Sequence, residues 1–346
     1  MPVPRLQDVA RLAGVHTATA SRALNPATRD LVRGKTAARV IEAAVSLGYV
    51  ANPIARGLKT SRSSSIGVVI PDLTNALFPP IMRGIDAVLE PIGYCALLVN
   101  TDNDKDREAK QVAFLRARQV EGLIVGTALL NDAALEKLAE ENFPVVLINR
   151  RTESSILPTV AGDNSAGMSL VVDHLVGLGH RRIACLAGPQ TTWTGQVRLR
   201  AYRNALQDHN IPYDEELVAF TARFDEVEGA RAARELLDRG VPFTAIAAGN
   251  DVHALGCYDA FAERGIQCPD DISLIGFNDM PIVDKLSPAL TTVHIPQFEV
   301  GREAARMLLD RINAASAVPA KSVLLPVELV VRESTAPPKN LVRKEL

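Results

Sequence analysis

From Ile66 onward the chain repeats one pattern, a short apolar run followed by a segment whose apolar residues have helical spacing. The runs form two series, at 66–71, 94–100, 122–126 and 145–149, then at 182–188, 217–220, 244–250 and 272–277. Apolar strands that alternate with helices build parallel sheets covered on both faces. Two such series predict two doubly wound α/β lobes, and the segment 290–296 is a candidate crossing between them.

The predicted lobes carry no signature of catalysis. Parallel sheets of this kind bind ligands beyond the carboxyl ends of their strands, which here places a site in the cleft between the lobes. The motifs GxGxxG after the first strand, GxxxxGK[ST], HExxH and GxSxG are absent from the sequence. This favours binding over catalysis, and we expect neither an enzyme nor a bound cofactor.

Cysteine and histidine are scattered along the chain. No pair of cysteines has CxxC spacing, and the six histidines are dispersed, so the sequence predicts no metal site. The start of the chain is polar and basic, and no apolar run is long enough to span a membrane. We therefore expect a cytoplasmic protein with four reduced cysteines: Cys95, Cys185, Cys257 and Cys268.

Residues 6–25, LQDVARLAGVHTATASRALN, have the pattern of a helix-turn-helix. Gly14 stands between two short helical patterns, where a tight turn needs a positive φ. Apolar residues recur on both sides of it at helical spacing, at positions 6, 9, 10 and 13, then 15, 20 and 23. The remaining polar face of the second helix is suited to the major groove of DNA. An ordinary helical hairpin is the alternative.

The charge is divided unevenly along the chain, which supports the DNA-binding interpretation. The first 62 residues contain ten Lys and Arg against three Asp and Glu, a net charge of +7, whereas the rest carries −9. A basic segment on an acidic body is typical of a nucleic-acid contact limited to one end. The basic end supplies salt-dependent contacts to phosphates.

Two further segments complete the basic end. The pattern over 36–48 predicts a third amphipathic helix with Gly48 as its C-cap. After it, Asn52 and Pro53 are suited to a helix start, and Ile54, Ala55 and Leu58 share one face of a short helix. A helix this short that also contains glycine is expected to fold only when docked.

In this order, these features resemble the lac-repressor (LacI) family of bacterial transcription regulators. The similarity covers residues 3–334 and rests on DVARLAGVHTATASRALN, LGYVANPIARGLK, SIGVVIPDLTNALFPPIMRGI, EGLIV, GHRRIACLAGP and DISLIGFNDMPIVDKLSPALTTV. The resemblance implies an α-helical helix-turn-helix headpiece and a body of two parallel-sheet α/β lobes, like a periplasmic binding protein.

The resemblance also implies domain boundaries. The headpiece is expected at 1–51, a hinge helix and linker at 52–65, the two-lobed effector-binding and dimerisation domain at 66–335, and a tail at 336–346. Lobe 1 is expected to contain 66–162 and 294–322, and lobe 2 to contain 163–293 and 323–335.

The implied function is that of a sequence-specific, DNA-binding transcription regulator, expected to be a repressor. A homodimer would bind a pseudo-palindromic operator and switch when a small-molecule effector closes the cleft. A tetramer is not expected, because the tail APPKNLVRKEL lacks the leucine heptads of a coiled coil. The alternative is a solute-binding protein of a transport system, whose two-lobed body is similar.

Matching the family's motifs position by position gives candidate DNA contacts. The resemblance assigns the choice of bases to Thr17 and Ala18, and the forked donors of Arg22 are suited to guanine. Leu58 matches the leucine that relatives insert into the minor groove at the operator centre, although a core leucine is the alternative. The full set of candidates is Thr17, Ala18, Thr19, Ser21, Arg22, Asn25, Ala55, Leu58 and Lys59.

The same matching gives candidate effector contacts. Arg198 matches an arginine that commonly grips the effector, and Phe224 an aromatic position that often stacks on a ring. Trp193 lies near Arg198 in the sequence, and core packing is an equal alternative for it. The full set of candidates is Asp72, Asn75, Phe78, Asn149, Trp193, Arg198, Phe224, Asn250 and Asn278.

Four residues depart from the family's usual pattern. Arg5 and His16 replace residues that commonly cap the first two helices. The His16 imidazole is either a substitute for the usual serine as cap and phosphate contact or, as we expect, a tolerated exposed residue. Asn149 and Asn278 replace aspartates, so the cleft loses two charges while it keeps Arg198, and Arg150 adds another cation. The effector is therefore either a neutral sugar or a small anion such as a sugar acid. Asp279 is expected to be a structural turn residue.

Overall fold

The computed structural model describes residues 4–49, 62–316 and 318–339 of the 346-residue chain. The chain divides into two compact units, Met1–Ser63 and Ser64–Leu346, and each is described by itself.

The first unit contains three helices around a small apolar core. These are α1 (Leu6–Leu12), α2 (Thr17–Leu24) and α3 (Gly34–Leu47), with a 3₁₀ segment at Pro26–Leu31 between the last two. Gly14 has a φ of +60° in the turn between α1 and α2, as the sequence predicts. The core consists mainly of alanine, whose small side chain lets the helices approach closely: Val9, Ala10, Ala13, Ala20, Ala23, Ala37, Val40, Ala43 and Ala44.

The third helix ends as its sequence predicts. Gly48 adopts the left-handed conformation, with a φ of +61°. Its amide donates to the carbonyl of Val45 at 3.0 Å, and the Tyr49 amide donates to that of Ala44 at 2.9 Å. These bonds satisfy carbonyls that the helix leaves unpaired at its end. The helix begins two residues earlier than the apolar pattern suggests.

The second unit begins with a lobe of alternating strands and helices. Its elements are β1 (Ser65–Ile70), α4 (Phe78–Leu89), β2 (Cys95–Asn100), α5 (Lys105–Ala117), β3 (Leu123–Val125), α6 (Ala133–Glu140), β4 (Val145–Ile148) and β5 (Thr159–Gly162). A 3₁₀ turn, Glu90–Ile92, follows α4.

The chain then builds a second lobe and returns to the first. The second lobe contains α7 (Asn164–Gly177), β6 (Ile183–Ala187), α8 (Trp193–Asp208), β7 (Val218–Phe220), α9 (Glu226–Asp238), β8 (Ala245–Ala247), α10 (Asp251–Arg264), β9 (Ser273–Asn278) and β10 (Thr291–His294). Short 3₁₀ turns occur at Glu215–Leu217 and Val283–Lys285. Helix α11 (Gln297–Asn313) packs on α4 of lobe 1, and β11 (Ser322–Leu325) and β12 (Glu328–Val330) end the body.

Each lobe has one six-stranded sheet. Lobe 1 has the strand order β11-β5-β4-β3-β1-β2, and lobe 2 has the order β12-β10-β9-β8-β6-β7. All neighbouring strands are parallel except β10 and β12. Strands β1, β3 and β4 are buried almost throughout, because helices cover both faces of the sheet.

The expected lobe boundaries need one correction. Strand β11 pairs with β5 in lobe 1, with Val323 opposite Val160, whereas the sequence places residue 323 in lobe 2. The last change of lobe therefore falls at Pro326 and Val327. The candidate crossing at 290–296 is largely strand β10 of lobe 2, and the chain leaves that lobe only after His294. No helix in the described ranges is long and apolar enough to cross a membrane.

Candidate DNA-binding surface and effector cleft

Helix α2 presents a polar face at the surface of the first unit. Ala18 and Arg22 are exposed, and the side chains of Thr17, Thr19 and Ser21 are partly exposed. Asn25 ends the helix at its C-cap. Ala20 and Ala23 on the opposite face are fully buried, which fixes the orientation of the polar face. The candidates Ala55, Leu58 and Lys59 lie outside the described residues.

The two unusual headpiece residues both stand at helix N-caps. His16 is exposed and accepts a hydrogen bond at Nδ1 from the Ala18 amide, at 3.2 Å, so its imidazole caps α2. Arg5 has no side-chain acceptor, but its own amide donates to Asp8 Oδ2 at 2.9 Å. His16 is thus exposed, as expected, and also supplies the cap, since an imidazole nitrogen can accept a hydrogen bond as a hydroxyl does.

A cleft with an empty volume of about 630 Å³, including the part open to solvent, lies between the two lobes of the body. Eight of the nine candidate effector residues line it, all except Trp193. They come from both lobes, and most of them lie at or just beyond the carboxyl end of a strand, as expected for doubly wound sheets, whereas Arg198 lies within helix α8. Residues absent from the candidate set also line it: Pro71, Leu77, Asn103, Gly126, Arg150, Asn164, Thr194 and Ile295.

Arg198 lies at the bottom of the cleft and is almost fully buried. Its Nε donates to Asn164 Oδ1 at 2.7 Å, and its two terminal nitrogens donate to Gly249 O at 2.5 Å and Asn278 Oδ1 at 3.2 Å. Its guanidinium carbon lies 3.6 Å from the centre of the Phe277 ring. Burial lowers the pKa of Arg198 to about 9, while the nearby Asp251 opposes this shift. The guanidinium therefore keeps its charge at neutral pH.

Asp251 is a buried carboxylate behind Arg198. It accepts hydrogen bonds from Thr292 Oγ1 at 2.5 Å and from the Met280 amide at 2.8 Å. Burial raises the pKa of Asp251 to about 6, and the two hydrogen bonds and Arg198 limit the shift. It holds the loop after β9, which begins next to Asn278, against the start of α10.

Phe224 forms an aromatic wall with a histidine behind it. Its ring stacks on that of His253, with centroids 5.4 Å apart and planes inclined by 20°. His253 is fully buried and donates from Nε2 to the carbonyl of Arg223 at 2.8 Å. Burial lowers the pKa of His253 to about 4, so the imidazole is neutral at pH 7. The histidine thereby fixes both the ring of Phe224 and the backbone before it.

Arg150 belongs to a charged cluster in lobe 1. Burial lowers its pKa to about 10, and Glu108 opposes this shift. Its guanidinium donates to the Thr127 carbonyl at 3.4 Å, and Lys105 donates to the same carbonyl at 3.5 Å. Lys105 is also paired with Glu108 at 2.9 Å and with Asp132 at 2.7 Å. The cluster places Arg150 at the cleft wall with its charge intact.

Two remaining residues have structural surroundings. Trp193 packs against Ala161 and Val197, with the Arg151 guanidinium 5.0 Å from its ring centre, and it does not line the cleft. Asp279 accepts from Arg332 at 2.6 Å and is 3.0 Å from His294 Nδ1. It is a structural residue at the turn after β9, as expected.

The cleft residues that the sequence did not single out have weak sequence signals. Asn164 follows Asp163, whose Oδ1 caps α7 by accepting from the Ser165 and Ala166 amides at 3.1 and 3.0 Å. The sequence could have indicated Asn164, because an Asp-Asn pair after a strand is typical of a helix start. Thr194 lies four residues before Arg198, on the same face of α8.

Comparisons with known proteins agree with this architecture. Residues 5–52 match the family described as bacterial regulatory proteins, lacI family, and residues 172–335 match a periplasmic binding protein-like domain. The chain is 34% identical to the HTH-type transcriptional regulator DegA of Bacillus subtilis, over 96% of this chain and 98% of that protein.

Solved structures show the same relationship. The lac repressor dimer bound to operator and the anti-inducer ONPF has a TM-score of 0.85 at 29% identity, over 96% of this chain and 99% of that one. The complex of the transcriptional regulator CelR with cellobiose has a TM-score of 0.73 at 30% identity, with the same coverage of both chains.

A helix-turn-helix unit followed by a two-lobed binding body defines a DNA-binding transcription regulator controlled by a small molecule. The similarity to DegA extends over nearly the whole length of both chains and shows that they are homologous. The chain belongs to the lacI family of bacterial regulatory proteins. The fold class inferred from the sequence is confirmed. It is a regulator rather than an enzyme, and the alternative of a solute-binding protein is not favoured.

Proposed function

We propose that this chain is a repressor that binds a pseudo-palindromic operator in the cytoplasm as a homodimer and occludes transcription. The observation that carries the proposal is the exposed polar face of α2 within a segment of net charge +7. Such a helix fits the major groove, and two of them related by a dimer axis fit a pseudo-palindrome. The lac repressor structure, a dimer bound to operator, supports the same assembly for this chain.

The proposed DNA contacts follow the polar face of α2. In this proposal, Thr17 and Ala18 choose bases and Arg22 donates to guanine. Thr19, Ser21 and Asn25 would fix the helix on the duplex. A hinge helix with Leu58 as a wedge in the minor groove, flanked by Ala55 and Lys59, belongs to the same proposal.

The proposed effector is a small sugar or sugar acid bound in the cleft. Its support is the convergence of polar side chains from both lobes with two aromatic rings, Phe78 and Phe224. The CelR structure contains cellobiose, which supports a carbohydrate-like ligand in this family member as well. Because both lobes contribute, occupancy of the cleft would favour one lobe arrangement over another and so change operator affinity.

Binding to DNA fragments from the region upstream of the chain's own gene tests the proposal. Fluorescence anisotropy should detect one specific site whose affinity falls steeply as salt rises. The variant Arg22→Ala should weaken specific binding by about 1–3 kcal/mol and reduce discrimination against altered sites. The charge-matched control Arg39→Ala, on the exposed side of α3, should preserve that discrimination. Salt-insensitive binding, or equal discrimination by both variants, would contradict the proposal.

A further inference from the structure

The cleft is lined by several asparagines whose oxygens are already engaged. Asn75 Oδ1 accepts from the Leu77 amide at 3.0 Å, and Asn250 Oδ1 accepts from the His253 amide at 2.8 Å. Asn278 Oδ1 accepts from Arg198 at 3.2 Å. Backbone amides and guanidinium groups only donate, so they fix the orientation of all three side-chain amides.

These engaged oxygens leave amino groups for a ligand. Among the hydrogen bonds of the described residues, the Nδ2 atoms of Asn75, Asn250 and Asn278 have no protein acceptor. Asn250 and Asn278 are both 3% exposed, so little of either residue is open to water outside the cleft. Asn149 adds a buried Nδ2 without a partner within the described part of the chain. Buried donors of this kind require acceptors.

Two cations add further donors to the same cleft. A guanidinium has five N–H groups, and Arg198 donates to three acceptors in the protein, all of them uncharged. Arg150 stands at the opposite wall and donates to the Thr127 carbonyl.

Acceptors in the cleft are fewer. Asp72 is the only carboxylate among the described lining residues, and its Oδ1 already accepts from the amide and hydroxyl of Thr74 at 2.8 and 2.7 Å. The hydroxyl of Thr194 donates to the Asn149 carbonyl at 3.2 Å. Asp72 Oδ2 and the amide oxygens of Asn103 and Asn149 remain as acceptors among the described lining side chains, so the cleft offers more donors than acceptors.

We infer that the effector is a small polyhydroxylated carboxylate, of the aldonic or uronic acid class, held by the amide and guanidinium donors of both lobes. A sugar hydroxyl that accepts from an amide still needs an acceptor for its own proton, and this cleft has fewer acceptors than donors. A carboxylate accepts only and uses charge-assisted bonds to guanidinium groups. This inference rests on the proposed function and deepens it.

A paired panel of ligands tests the inference on the full chain. Isothermal titration calorimetry would compare aldonates and uronates of common pentoses and hexoses with their parent aldoses, and the same preparation would be assayed for operator binding. At least one acid should bind ten or more times tighter than its parent aldose. Tighter binding of an aldose, or no binding by any acid, overturns the inference. Failure of the protein to bind operator DNA would contradict the proposed function and is measured independently of the ligand panel.

A single amide-to-acid change provides the second test. Asn278→Asp replaces a donor by an acceptor and adds a negative charge beside Arg198. It should weaken binding of the acid at least tenfold and leave binding of its parent aldose unchanged or stronger. Asn142→Asp adds the same charge at an exposed position outside the cleft and should change neither. Equal affinity of both variants for the acid overturns the inference.

Discussion

Asn149 and Asn278 show what sequence reasoning reaches and misses at the scale of single residues. The motifs placed both in the cleft and indicated the loss of two charges. Their backbone was not predictable, since Asn149 has a φ of +59° and Asn278 a φ of +120°. Left-handed and related conformations are unfavourable for residues other than glycine, and asparagine tolerates them better than most. Strain at such positions is typical of ligand sites held in place by their surroundings.

His253 leads to a prediction of pH dependence. Its pKa is 6.5 when unfolded and about 4 when folded, so the unfolded chain binds more protons between these values. Its contribution to stability is therefore present above pH 6.5 and lost as pH falls towards 4, by about 3 kcal/mol. Asp251, whose pKa is raised to about 6, has the opposite dependence over much of this range.

The comparison of wild type with His253→Gln isolates this contribution, because Asp251 is present in both. Urea denaturation between pH 4 and 7 should give a difference in unfolding free energy that shifts in favour of the wild type as pH rises. A difference that does not change with pH would show that His253 is not held neutral by burial.

Helix packing, at the scale of elements, depends on close approach at glycines. A Cβ at Gly301 of α11 would lie 2.0 Å from the carbonyl oxygen of Ile81 in α4, and one at Gly84 would lie 2.0 Å from that of Phe298. Lobe 2 repeats the arrangement between α9 and α10, with Gly229 and Gly256. The sequence pattern predicted helices in these segments. It did not predict how closely they pack, because each glycine contacts backbone atoms of a helix that is distant in sequence.

We therefore expect Gly301→Ala to destabilise the body by about 1–3 kcal/mol or more, since neither helix backbone has room to move. The matched control is Gly177→Ala at the end of α7, where a Cβ would contact nothing within 4 Å. Alanine there should be neutral or stabilising by up to about 1 kcal/mol. Thermal unfolding of the two variants checks this, and similar melting temperatures would refute the close-packing argument.

Short strands were the elements most difficult to predict. Strands β5, β11 and β12 have three or four residues each and no long apolar run. Their existence depends on pairing with strands that are distant in sequence, as with β11 beside β5. Local periodicity contains no information on such pairing.

At the scale of the whole body, a polar cluster lies where the chain passes from one lobe to the other. Asp279, in the turn after β9, contacts Arg332 after β12 and His294 at the end of β10. The adjacent Asn278 carbonyl accepts from Gln297 at the start of α11 in lobe 1. The cleft residue Asn278 is thus one peptide bond from a cluster that holds two of the segments leading between lobes.

Asp279→Asn should lower the unfolding free energy by about 1–3 kcal/mol, because Arg332 is largely buried and loses its charged partner. Asp310→Asn removes the same charge from an exposed position of α11 and should stay within about 0.5 kcal/mol of wild type. Chemical denaturation measures both. Comparable losses would mean that net charge rather than the cluster determines the effect.

The order of the strands along the chain also determines when each sheet can be completed during synthesis. The edge strand of lobe 1, β11, and that of lobe 2, β12, are among the last parts of the body to be translated. The three-helix unit is complete once residue 49 has left the ribosome. A nascent or prematurely ended chain therefore contains the complete helix-turn-helix unit long before it contains the complete cleft, so a product that ends before β11 has the first without the second.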